Sequence, residues 1–178
     1  MKKTTSGTKM LLSAAALMWL IQLANLLLNY RLSHFGIVPR EVNHLFGIIA
    51  APFLHWSMAH IIANTIPFVI LGFLVHQARQ LVFVSLFVWL AGGLLVWLFA
   101  RSAVHAGASG MIMGYFGFLV SHAFFTRSIR SVLVTTAAVL LYGGIVISLF
   151  DFRSHISFEG HIFGFIAGVF SAWLVSRR

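Results

Sequence analysis

The chain has 178 residues, of which 60% are hydrophobic and only 8% charged, with a mean hydropathy of +0.98. A soluble domain carries about a quarter charged residues, so this composition is that of a membrane protein. Cysteine is absent, which excludes disulfides, zinc thiolates and thiol nucleophiles, and the net charge of +9 is read in so apolar a chain as a topology signal, with no nucleic-acid partner expected.

Apolar runs of roughly 20 residues, the length that crosses the hydrocarbon core, lie at about 10–30, 54–75, 80–100, 107–125, 131–150 and 157–175. We expect each to be a transmembrane helix, giving an all-α membrane protein with a single six-helix domain over residues 1–178. The first run follows Lys2, Lys3 and Lys9 as a signal peptide would, but it is long and no small-x-small cleavage site follows, so it is read as a retained helix. With the N-terminus inside, Lys2, Lys3, Lys9, Arg79, Arg127, Arg130, Arg177 and Arg178 fall in inner segments. Arg31, Arg40, Arg101 and Arg153 fall in outer ones, with all three acids, Glu41, Asp151 and Glu159. That asymmetry predicts an N-in, C-in topology. The first outer loop, about residues 31–53, contains Pro39, Pro52 and the run "HLFGIIAAPF", too apolar for a solvated loop and too short to span, which is placed in the membrane interface.

Strongly polar groups inside a bilayer are costly and default to functional candidates. The second run supplies His55, His60 and Asn64 in "HWSMAHIIAN", the last two at i,i+4 and so on one helical face. The fourth supplies Ser109 about one turn from its outer end, and the sixth supplies His161 at similar depth. Gly110 and Gly114, and Gly160, Gly164 and Gly168, repeat every four residues, the small-xxx-small pattern that lets helix backbones approach closely. His161 shares a face with Gly164 and Gly168, so if that face meets the fourth helix, His161 is carried toward Ser109.

A serine hydroxyl becomes a useful nucleophile when a neighbouring base takes its proton, and neutral histidine suits that task. The resulting oxyanion needs donors, for which the Asn64 amide, the His60 ring N–H and the Ser109 backbone N–H are the right types. A triad would add a buried carboxylate, but every acid is assigned to an outer segment, and Glu159 is two residues from His161 and so points to nearly the opposite side. A Ser109–His161 dyad is the economical assignment.

Each residue also has a plainer reading. A serine between glycines is common at close helix contacts. His76 and His122, near inner helix ends, are read as packing residues; His34, His44, His105 and His155 as solvated; His55 as a structural residue that caps the loop or braces the second helix.

In "HWSMAHIIAN", "GASG" and "GHIFGFIAG", in that order on helices 2, 4 and 6, the sequence resembles the rhomboid family of intramembrane serine proteases. The resemblance implies that Ser109 is the nucleophile and His161 its general base. It implies that His60, Asn64 and the Ser109 N–H form the oxyanion site, and that Gly107 opens a strand-like approach to helix 4. It further implies a rhomboid-like bundle with a water-filled cavity toward the outer face, a laterally mobile helix 5 and cap loop, and hydrolysis of peptide bonds in or beside the transmembrane segments of substrate proteins. No cofactor or metal is implied; the partners are those substrates and the lipid bilayer, with no particular oligomeric state. The resemblance has departures. The first outer loop has Arg40 without the adjacent Trp of many bacterial members, Met113 stands where many place a tyrosine, and "VHQARQ" offers no acid after helix 2. Two other classes compete: a non-catalytic rhomboid-like scaffold that binds transmembrane helices, and a b-type haem protein using transmembrane histidines as axial ligands.

Overall fold

The computed structural model describes residues 2–151 and 157–177. Arg153, His155 and Arg178 lie outside them.

The described residues fold into helices and short helical turns. α1 (Lys2–Leu27) leads to a loop carrying the short α2 (Gly47–Ala50), then α3 (Met58–Gln77), α4 (Leu81–Phe87) and α5 (Gly93–Phe99). These are followed by α6 (Ser109–Thr126), α7 (Ile129–Tyr142) and α8 (Phe158–Ser176). A π-turn at Val88–Gly92 joins α4 to α5, and a 3-10 turn at Gly143–Phe150 extends α7. Five helices, Ser6–Leu27, Met58–Gln77, Leu81–Phe99, Ile129–Phe150 and Phe158–Ser176, are long and apolar enough to cross a membrane. The protein is a multi-pass membrane protein. α1 begins well before residue 10 because its first turns are polar, and polar turns carry no hydropathy signal.

α6 is the exception that organises the rest. Its residues from Met111 to Leu119 are all buried, on every face. A helix enclosed on all sides is the core of its protein. Glycine permits that enclosure: a Cβ on Gly164 would overlap the carbonyl oxygen of Gly110, and one on Gly168 that of Gly114. α8 therefore lies backbone against backbone on α6, as the glycine spacing predicts. α3 closes another side through Phe68, whose ring lies 5.7 Å from that of Tyr115, and the Tyr115 hydroxyl reaches Ser85 Oγ on α4 at 2.7 Å.

One end of the bundle is tied by polar contacts. Asn25, at the end of α1, donates to Ser33 Oγ at 2.9 Å and to the His55 carbonyl at 3.1 Å, all three residues being fully buried. Arg40 donates to the carbonyls of Leu98 and Ala100 at 3.3 and 2.8 Å, satisfying oxygens that the end of α5 leaves open. Beside it Trp97 Nε1 donates to the Glu41 carbonyl at 3.1 Å. The loop that lacks a Trp next to its Arg thus receives one from α5.

Candidate active site

The same end holds a cavity of about 780 Å³ lined by His60, Asn64, Ser109 and His161, among others. His60 and Asn64 stand in the first two turns of α3, whose start is capped by Ser57 Oγ accepting the His60 N–H at 3.0 Å. Ser109 is the first residue of α6, slightly nearer the end than the sequence places it, and His161 is in the first turn of α8. Three helices thus bring the four side chains into one chamber.

The segment leading into Ser109 is held by the first loop, donor by donor. Ile37 and His105 exchange backbone hydrogen bonds at 2.9 and 2.8 Å, an isolated antiparallel bridge. The Gly107 N–H goes to the Ala51 carbonyl at 2.9 Å, and the Ala108 N–H to His55 Nε2 at 3.4 Å. With its predecessors occupied, the Ser109 N–H at the helix start has no intrahelical acceptor. Gly107 has φ +126, where a side chain is strained, and a Cβ there would sit 2.9 Å from His60 Nε2 and 3.7 Å from Asn64 Nδ2. His60 and Asn64 therefore face the backbone just before the serine. Among the described residues Asn64 Nδ2 is buried without a hydrogen-bond partner, an uncommon condition for an amide donor.

His161 Nδ1 lies 3.0 Å from the Ser148 carbonyl oxygen. A carbonyl only accepts, so Nδ1 carries the proton and Nε2 keeps its lone pair. Among the described residues neither His161 Nε2 nor Ser109 Oγ has a hydrogen-bond partner, so the structure brings serine and histidine into one cavity without joining them. Catalytic contacts are often open in the absence of substrate. Glu159 is engaged away from His161: its Oε1 accepts the Arg101 N–H at 3.3 Å and lies 3.5 Å from Arg101 Nε.

Two further histidines are buried at this end, His55 in a structural role and His105 against expectation. His55 is fully buried before α3 begins, with its ring edge-on to His60 at 5.0 Å. It supports the approach to Ser109 rather than α3 itself. Burial, reinforced by the neighbouring His60 charge and only partly opposed by the Phe53 carbonyl, lowers its pKa to about 3, so it stays a neutral acceptor for the Ala108 N–H. His105, expected to be solvated, is also buried. Its Nε2 donates to the Arg101 carbonyl at 3.0 Å, which leaves Nδ1 to accept from Ser157 Oγ at 2.7 Å. Burial lowers its pKa, more than the Arg101 carbonyl and the Glu159 charge raise it. Ser157 in turn caps α8 by accepting the Gly160 N–H at 3.2 Å. His105 lies four residues before Ser109 and Ser157 four before His161. That matched offset was the sequence signal for this clamp, and it gains meaning only once α6 and α8 are known to be neighbours.

The Rhomboid domain profile matches residues 42–178. The chain is 34% identical to an uncharacterized protein of Mycobacterium tuberculosis over 96% of its own length and 75% of that protein's. It is 32% identical to an uncharacterized protein of Mycobacterium leprae over 96% and 72%. A protein of Acanthamoeba polyphaga mimivirus named as a rhomboid protein is 30% identical, with 77% of each chain covered. With the profile spanning α2 to α8 and these relatives on either side of it, the chain belongs to the rhomboid family.

Proposed function

We propose that this protein is an intramembrane serine endopeptidase that cleaves peptide bonds in or beside the transmembrane segments of substrate proteins. The observation that carries the reading is a single cavity holding Ser109, His161 and Asn64, in which, among the described residues, the serine hydroxyl, the His161 Nε2 and the Asn64 amide donor have no hydrogen-bond partner. Ser109 Oγ attacks the substrate carbonyl carbon while its proton passes to His161 Nε2. The oxyanion accepts from the Ser109 N–H, Asn64 Nδ2 and the His60 ring. His161 returns the proton to the departing amine nitrogen, and that C–N bond breaks. Water then gives a proton to His161 and attacks the acyl-enzyme, and the serine leaves with the proton restored.

We read the chain as one rhomboid-like domain of six spans, the five long apolar helices together with α6, which stands fourth in chain order, with both termini inside. Lys9, Arg79, Arg127, Arg130 and Arg177 lie at the end away from the cavity, against Arg31, Arg40 and Arg101 at the cavity end, a basic excess that supports a site opening to the outer face. The mycobacterial relatives favour a bacterial cytoplasmic membrane.

The test is fluorophosphonate labelling of the detergent-solubilised protein, with the modified residue mapped by mass spectrometry. Wild type and Ser157→Ala are expected to label on Ser109, and Ser109→Ala and His161→Ala to remain unlabelled. Folded wild type that resists the probe would favour a non-catalytic scaffold, and labelling on Ser157 would move the nucleophile to the second Ser–His pair.

A further inference from the structure

Among the described residues the hydrogen-bond acceptor on His161 Nδ1 is a backbone carbonyl, and it orients the ring. The acceptor on Nδ1 comes from the 3-10 turn that ends the Ile129–Phe150 span. That span is the least enclosed of the five, with 6% of its apolar window buried against 28–39% for the others. Two of the contacts that hold its cavity end involve Ser148. The Ser148 hydroxyl donates back to the Ile145 carbonyl at 2.7 Å, tightening the turn, and packs 3.9 Å from Met113 Sδ on the helix of the nucleophile. Its carbonyl, with two lone pairs, takes His161 Nδ1–H at 3.0 Å and the Asp151 N–H at the much weaker distance of 3.5 Å.

We propose that the Ser148 backbone carbonyl is the positioning group for His161, serving this Ser–His pair as a buried carboxylate serves a triad, so that the base is competent only while the turn is docked over the cavity. The proposal rests on the serine-endopeptidase reading and adds a regulatory consequence. A neutral imidazole can carry its proton on either nitrogen, and only the Nδ1–H form accepts from Ser109. Displacing the least enclosed span removes the acceptor that selects that form. A substrate helix that pushed the turn aside would disarm the base until the turn closed again, so docking and proton transfer are coupled through one hydrogen bond. The proton on Nδ1 stays there throughout the reaction, and only Nε2 gains and loses one.

The test weakens the carbonyl without changing a side chain. Replacing Leu149 by its α-hydroxy analogue turns the Ser148–Leu149 amide into an ester, whose carbonyl is a poorer acceptor. The same replacement at Phe150 removes a comparable backbone N–H and leaves Ser148 untouched. With ring-15N histidine, wild type is expected to show His161 protonated at Nδ1. The ester at 149 should raise the Nε2–H form and slow fluorophosphonate labelling roughly tenfold relative to the ester at 150. As a second route, Ser148→Ala, which frees the turn, should slow labelling, and Ser148→Thr should restore it. Identical spectra and rates for the two esters would overturn the proposal. If wild type takes no probe at all, the endopeptidase reading fails separately, and the tautomer spectra still decide whether Ser148 selects the ring form.

Discussion

Asn64 shows most directly what single residues contribute. A buried amide donor without an acceptor is destabilising by roughly 1–3 kcal/mol, so its retention facing Gly107 calls for a ligand that accepts there. An oxyanion formed beside Ser109 would be that acceptor. Asn64→Ala is therefore expected to lower kcat by roughly 10²–10³-fold, with KM little changed and the fold at least as stable as wild type. A loss confined to KM, measured on a fluorogenic transmembrane peptide, would place Asn64 in ground-state binding instead. His60, Asn64, Ser109 and His161 were all readable in the sequence because strongly polar side chains in apolar runs have few reasons to be there. The Ser148 carbonyl was not readable, since every residue has a carbonyl and only the fold decides which one meets a ring nitrogen. His105 and Ser157 fell between these cases: their types were visible, but their burial depends on α6 and α8 meeting.

At the scale of elements, α6 and α8 form the pair on which the site depends. The glycine spacing forecast their contact correctly because the rule is geometric, two backbones approaching where side chains are absent. Hydropathy was a less specific guide: it placed six spans of similar standing and did not single out the helix bearing Ser109, which is enclosed on every face because its apolar side chains alternate with glycines that admit α8. The contact leaves no room for a side chain at Gly164, where a Cβ would meet the Gly110 carbonyl next to Ser109. Gly164→Val should accordingly destabilise the protein by roughly 1–3 kcal/mol and abolish Ser109 labelling by separating it from His161. Gly144, in the turn after α7, has nothing within 4 Å of an added Cβ, so Gly144→Ala is the control and is expected to unfold near the wild-type temperature. Equal thermal stability of the two variants in detergent would show that the helices can part without harm.

The whole molecule stores an acid sensitivity in the end that holds the site. His55 and His105 have pKa values lowered by burial, that of His55 from 6.5 to about 3. Each is neutral in the folded protein at pH 7 and takes up a proton more readily when unfolded. Their contribution is complete above the unfolded value of 6.5 and declines as pH falls toward the folded values, because there the unfolded chain binds more protons. The melting temperature in detergent is thus expected to fall between pH 7 and pH 5, and His105→Asn should flatten that slope. A slope unchanged by the substitution would assign the acid response to other groups.

The enclosure of α6 also bears on how the protein is made. Helices emerge in order, and the glycine face of α6 enters the membrane before the partner that covers it has been synthesised. α8 follows α6 in the chain, so the contact that brings His161 into the cavity of Ser109 forms only after Phe158–Ser176 has been translated. A nascent or truncated chain carries the serine but neither its base nor its covering helix, and presents bare backbone to lipid where quality control can find it. Assembly of the cavity that holds Ser109 and His161 waits in this way on the synthesis of α8, and on the endopeptidase reading proposed above the chain is inert until then.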